Sequence, residues 1–91
     1  MTNYIAHIDV EKARKIMRDL QVKDLANCYV CPLLNFSCIE PGEISSADML
    51  ELHLDILSNS DTLIVPSEAY IGVQMEIAFA KLVGMEIRYL D

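Results

Sequence analysis

Glycine is scarce in this 91-residue chain, with three residues at positions 42, 72 and 84. Glycines so far apart form neither a G-x-G-x-x-G turn for a dinucleotide pyrophosphate nor a Walker loop. Basic residues are also few, 7 Lys and Arg against 14 Asp and Glu, for a formal net charge of −7 and a pI near 4.6. A field of that sign repels phosphate backbones and anionic bilayers, so no nucleic-acid polymer and no membrane is expected as a partner. No apolar run approaches the roughly 18 residues of a membrane-spanning helix. Residues 1–5 lack the basic segment that opens a secretory signal. Three cysteines, an odd number, suit a reducing cytosol better than a disulfide framework, so a cytoplasmic location is expected. Cys28 and Cys31 form a C-x-x-C, but on a strand they point to opposite faces, and no second pair completes a zinc site. They read as small core residues. No metal, no cofactor and no Ser-His-Asp arrangement is expected.

Apolar residues, by contrast, are abundant. They make up 53% of the chain, and the mean hydropathy is +0.27. That is rich for a soluble chain of one domain's length, residues 1–91. Either the interior is unusually apolar or an apolar face is buried against another copy, and a homo-oligomer is expected. Disorder is excluded.

Residues 3–7 form a short strand candidate. Val10, Ala13, Met17 and Leu20 follow at helical spacing, with Asp9 placed to cap the helix. Its basic residues, Lys12 among them, read as a solvated outer face. Residues 28–31 are a second strand ended by Pro32, and residues 33–44 a loop with a Pro41-Gly42 turn signal. Ser45 to Asp48 resembles a capping box, and two adjacent apolar stripes follow: Met49, Leu52 and Ile56, then Leu50, Leu54 and Leu57. A helix of that kind is expected to be covered on two sides, by its own sheet and by a neighbouring copy. Residues 63–65 are a continuous apolar strand, residues 72–83 a third helix closed by Gly84, and residues 87–90 a last strand.

This alternation predicts an α/β fold, a flavodoxin-like or Rossmann-like three-layer sandwich. Its sheet would be four-stranded and parallel, in the order 2-1-3-4, with about three helices. Ligands of such sheets bind where the winding reverses, at the carboxyl ends of the first and third strands. Ala6 and His7 lie at one end, Pro66 and Ser67 at the other, and the helix starting near Gly72 points its N–H groups at the same crevice. Glu76 stands out there. Close to a helix N-terminus it is expected to stay ionised, as a nucleophile or a ribose ligand, or else as an ordinary early-helix acid. Tyr4 is either a core aromatic or a hydrogen-bond partner of Glu76. His53, among leucines, reads as a core or interface histidine.

Tyr4-Ile5-Ala6-His7, Asp61-Thr62-Leu63-Ile64-Val65, and Gly72-Val73-Gln74-Met75-Glu76 with Ala80 and Gly84 occur in this order over nearly the whole chain. In this the chain resembles the nucleoside 2-deoxyribosyltransferase-like superfamily, most closely its small, often phage-encoded members of unknown function. The resemblance implies a flavodoxin-like fold, homo-oligomers with sites near subunit contacts, and nucleoside or nucleotide ligands. It implies Glu76 as the nucleophile that takes the deoxyribosyl group, and Tyr4 as the tyrosine that holds it. Three departures accompany it. His53 stands eight residues before Asp61, where the family carries an acid for the leaving base. Tyr70 stands where Ser or Asp contacts the sugar's 5′ end. Ile8-Asp9-Val10 leads almost directly into the helix, where the family has a Pro- and Gly-containing loop.

Histidine donates protons near neutrality, so His53 leaves catalysis open. The shortened loop and the aromatic at position 70 point to a changed ligand, with Tyr70 placed to stack on a base. Three functions follow as alternatives. The first is capture of a nucleotide-derived small molecule such as an ADP-ribose derivative, which in a phage would sequester a host immune signal in the host cytoplasm. It draws on Ala6, His7, Ser67, Tyr70, Gly72 and Glu76. The second is a deoxyribosyltransferase or nucleotide N-glycosidase with Glu76, Tyr4 and His53 as its catalytic residues. The third is an oligomer that works through protein contacts.

Overall fold

Asp9 begins the first helix by accepting a hydrogen bond on its carboxylate from the Lys12 N–H at 3.0 Å. Ser45 does the same for the Asp48 N–H, also at 3.0 Å. Each cap satisfies a donor that the helix leaves unpaired, and each falls where the sequence expects it. The computed structural model describes residues 1–40, 42–67 and 70–90. Among these the elements run β1 (Thr2–Ile5), α1 (Val10–Lys23), β2 (Cys28–Val30), α2 (Pro32–Asn35), α3 (Ser46–Ser58), β3 (Thr62–Val65), α4 (Ile71–Val83) and β4 (Glu86–Tyr89).

The four strands form one parallel sheet in the order β2-β1-β3-β4. This is the expected α/β architecture with the expected strand order. Winding reverses at β1, because the chain leaves it toward β2 and returns across it to β3. Side chains alternate between the two faces, as a pleated strand requires. Ile5, Tyr29, Cys31 and Ile64 face α1 together with its Ala13, while Ile16, Met17 and Leu20 of that helix pack around them. Tyr4, Ala6, Leu63 and Val65 face the other way, against Leu57 of α3 and Val73, Ile77 and Ala80 of α4. The result is three layers with β1 and β3 at the centre of both cores. Leu63, Ile64 and Val65 are all within 1% of full burial, which accounts for the unbroken apolar run of β3.

Three details depart from expectation. The segment expected to be loop after β2 opens with the single turn α2. Pro32, read as the stop of the strand, also sits at the start of that turn, where its fixed φ and missing N–H fit helix geometry. The C-x-x-C straddles the end of β2, with Cys28 exposed and Cys31 buried. In α3 the two apolar stripes are not covered alike: Leu57 is fully buried, Met49, Leu50, Leu54 and Ile56 are half-buried, and Leu52 is exposed. The more exposed apolar surface lies on α4, where Ile71 and Leu82 project into solvent. Of the Pro41-Gly42 turn signal, Pro41 lies outside the described residues, and Gly42 has φ +90°.

Gly84 ends α4 in the left-handed region at φ +75°. Its N–H donates to the Lys81 carbonyl at 3.3 Å and that of Met85 to the Ala80 carbonyl at 2.8 Å, the paired bonds that close a helix and turn it into β4. Among the described residues no helix is long and apolar enough to cross a membrane.

Candidate functional site

The turn from β1 into α1 spans residues 6–9 at the carboxyl edge of the sheet, and His7 holds it. Its Nδ1 accepts from the N–H groups of Ile8 at 3.0 Å and Asp9 at 2.9 Å. With Nδ1 an acceptor twice over, the ring proton of the neutral imidazole resides on Nε2. Burial pushes the His7 pKa down, with Asp9 pulling it up and Lys12 adding to the fall. His7 is therefore mostly neutral at pH 7. The side chain ties the turn together, because two backbone N–H groups there are satisfied within the chain. The Lys12 charge reaches His7 too, so this residue borders the site instead of belonging wholly to the solvated face.

Across the crevice, Tyr70 stands at the N-cap position of α4 but makes no capping bond with its side chain. Its ring lies 5.7 Å from that of His7, inclined at 51°. Ser67 is half-buried just past β3. Ala6 is buried in the core, and its N–H donates to the Ile64 carbonyl at 3.0 Å. Gly72 is exposed on the first turn of α4, and a Cβ there would meet nothing nearer than Ile8 Cγ2 at 4.0 Å. Packing within the chain does not demand glycine at this position. Gly72→Ala is expected to raise the stability of the unliganded protein by up to about 1 kcal/mol in urea denaturation, because alanine loses less entropy in a helix.

Glu76 and Tyr4 make up the floor of the site. Tyr4 projects from β1 toward α4, where it is 1% exposed, and its hydroxyl hydrogen-bonds the Glu76 carboxyl. Burial, followed by the Glu76 charge and that hydrogen bond, pushes the phenol far up, so Tyr4 is a permanent donor. Glu76 is 6% exposed, and Oε2 is the buried side-chain polar atom without a partner among the described residues. Burial raises the carboxyl to about 7 against partial relief from Tyr4. The expectation of an always-ionised Glu76 is thereby corrected. Glu76 lies five residues past Ile71, beyond the first turn where the helix dipole acts, so desolvation dominates. Cys31, buried at the end of β2, feels the Glu76 charge as well, and burial raises its thiol. The sequence, read with Cys31 as a small core residue, does not place it beside Glu76.

His53 belongs to different surroundings. Its ring stacks on Phe36 at 5.7 Å and 25°, and burial is the sole cause of its lowered pKa. Two shallow depressions open elsewhere. One of about 270 Å³ lies between α3 and the start of β1, and one of about 380 Å³ beside the start of α3. Neither is lined by Glu76 or Tyr4. Among the described residues no group of His, Cys, Asp and Glu is arranged to hold a metal ion.

A neutral imidazole edge, the Tyr70 ring and a buried carboxyl with one unpartnered oxygen thus stand where the winding reverses. Such a set can stack a flat ring and accept a hydroxyl proton. Compared with protein-family models, with curated proteins and with solved structures, the chain matches none.

Proposed function

We propose that this chain captures a nucleotide-derived small molecule, with a sugar hydroxyl donating to Glu76 Oε2 and the base lying against Tyr70 and His7. The observation that carries the reading is the unpartnered Oε2. A buried polar atom without a partner costs about 1–3 kcal/mol, and a ligand hydroxyl at that point removes the cost. The motif order supports membership of the nucleoside 2-deoxyribosyltransferase-like superfamily. An ADP-ribose derivative fits the same reading, as does a phage protein that sequesters a defence signal in the host cytoplasm, working as a homo-oligomer.

Turnover is the second reading, favoured by the Tyr4 bond that orients Glu76 as a nucleophile would need. Two observations weigh against it. Glycosyl transfer needs an acid for the departing base. His53 is mostly deprotonated at neutrality, and among the described residues no second carboxylate contributes to the shift of Glu76.

Calorimetry against nucleosides, nucleotides and ADP-ribose separates the possibilities. Binding that disappears in Glu76→Ala, with no base released, is the expected outcome. Absence of heat at high micromolar ligand overturns the proposal, and base release abolished by Glu76→Ala replaces it with the enzyme. Gly72→Ala should weaken capture while leaving the fold intact, because the added methyl occupies the open side of the crevice.

A further inference from the structure

Helix α4 carries apolar residues on two opposite faces. Val73, Ile77 and Ala80, with Glu76, turn inward to the sheet. On the outer side Ile71, Met75, Ala78 and Leu82 are all exposed, Ile71 at 76% and Leu82 at 84%. Steps of four, three and four are the heptad spacing that keeps one seam along a helix. The helix has 13 residues, so the strip is about 20 Å long. What a solvated helix face looks like in this chain is plain from α1, whose exposed residues include Glu11, Lys12, Arg14, Lys15, Arg18 and Asp19. Water-facing strips of the α4 kind are uncommon on proteins that remain single, and usually mark a contact.

We infer that this strip is where two copies of the chain meet, their α4 helices packed antiparallel about a two-fold axis. Self-complementarity argues for a second copy. Turning the helix end for end maps a four-three-four spacing onto itself, as an isologous contact requires. In that register Ile71 meets the partner's Leu82 and Met75 meets the partner's Ala78. Bulk meets bulk at the ends, and a long flexible side chain fills the space over a small one in the middle. Charge argues the same way. Two chains of −7 repel, and the approach that keeps their acids apart is one made through a surface without any. The strip has none, and Gln74 and Lys81 at its flanks add none. One helix pair buries less than the roughly 800 Å² per partner of a standard interface, so the dimer is weak and not obligate. The contact does not depend on what the crevice binds.

Sedimentation velocity from about 1 µM to 1 mM tests this, together with circular dichroism to verify folding. The wild-type chain is expected to move from monomer to dimer across the range. Leu82→Glu and Met75→Glu are each expected to stay monomeric with an unchanged spectrum, since both sites are exposed. The register has its own test. Met75→Glu and Ala78→Lys should each be monomeric alone, and their mixture should recover the dimer, because one glutamate then faces one lysine. A wild-type chain that is monomeric at 1 mM overturns the inference, including one that is monomeric yet adsorbs to zwitterionic vesicles. A dimer indifferent to Leu82→Glu overturns it as well, and a mixture that stays monomeric overturns the antiparallel register.

Discussion

Between about pH 4.5 and pH 8 the wild-type protein should lose stability relative to Glu76→Gln, by about 3 kcal/mol over the interval. The sign follows from where the protons are. In the unfolded chain Glu76 ionises at its ordinary 4.5, whereas in the fold it ionises at about 7. Below 4.5 the carboxyl is protonated in both states and contributes nothing. Between the two values the folded state holds the extra proton, so raising the pH draws the equilibrium toward the unfolded chain. Above 7 both states are ionised and the whole cost of the buried charge is present. His7 and His53 act in the opposite direction. Their pKa values fall on folding, so stability rises with pH up to about 6.5 through these groups. The lowered carboxyls of Asp9 and Asp24 titrate at more acid pH.

The difference between wild type and variant therefore isolates Glu76, and thermal melts from pH 4.5 to 8.5 are the measurement. Parallel pH profiles for the two proteins would show that Glu76 is not desolvated. A ligand hydroxyl on Oε2 favours the carboxylate, so binding at pH 7 should release a proton. Titrations in buffers of different ionisation enthalpy detect this release.

Leu57→Ala should cost 2–5 kcal/mol, a large part of the stability of a domain this size. Leu57 is 0% exposed and joins the cluster that contains Tyr4, Leu63 and Val65. It is the fully buried residue of α3, whose other apolar residues are half-buried or exposed. Its removal leaves a cavity that neighbouring β-branched side chains and the rigid sheet cannot close. Leu52→Ala, at a position 39% exposed, should cost less than about 1 kcal/mol. Equal losses at the two positions in urea unfolding would mean that α3 is anchored by both stripes.

Much of the fold is legible in the sequence. Alternating periods of two and nearly four residues identify strands and helices, and right-handed crossovers with one reversal then yield the order 2-1-3-4. Caps at Asp9 and Ser45 and the helix stop at Gly84 are local chemistry and emerge as read. The single turn α2 leaves no mark in the sequence because four residues are too few to show a period, and Pro32 is equally suited to ending a strand and starting a helix. His53 was placed by counting back from Asp61. Counting measures distance along the chain, while the Phe36 ring against which His53 lies comes from the segment after β2.

Composition and periodicity thus suffice for the class of fold and the order of its strands. These depend on residue spacing and on backbone handedness, which every short segment carries with it. The ionisation of Glu76, its bond to Tyr4 and the open oxygen depend instead on how much water remains once β1, β3 and α4 have closed around one carboxyl. The same holds for the apolar strip of α4. Spacing alone places apolar residues on more than one side of both α3 and α4, and only the packed layers distinguish the face that meets the sheet from the face that meets solvent. Burial is a property of the whole packed chain, and no stretch of sequence contains it.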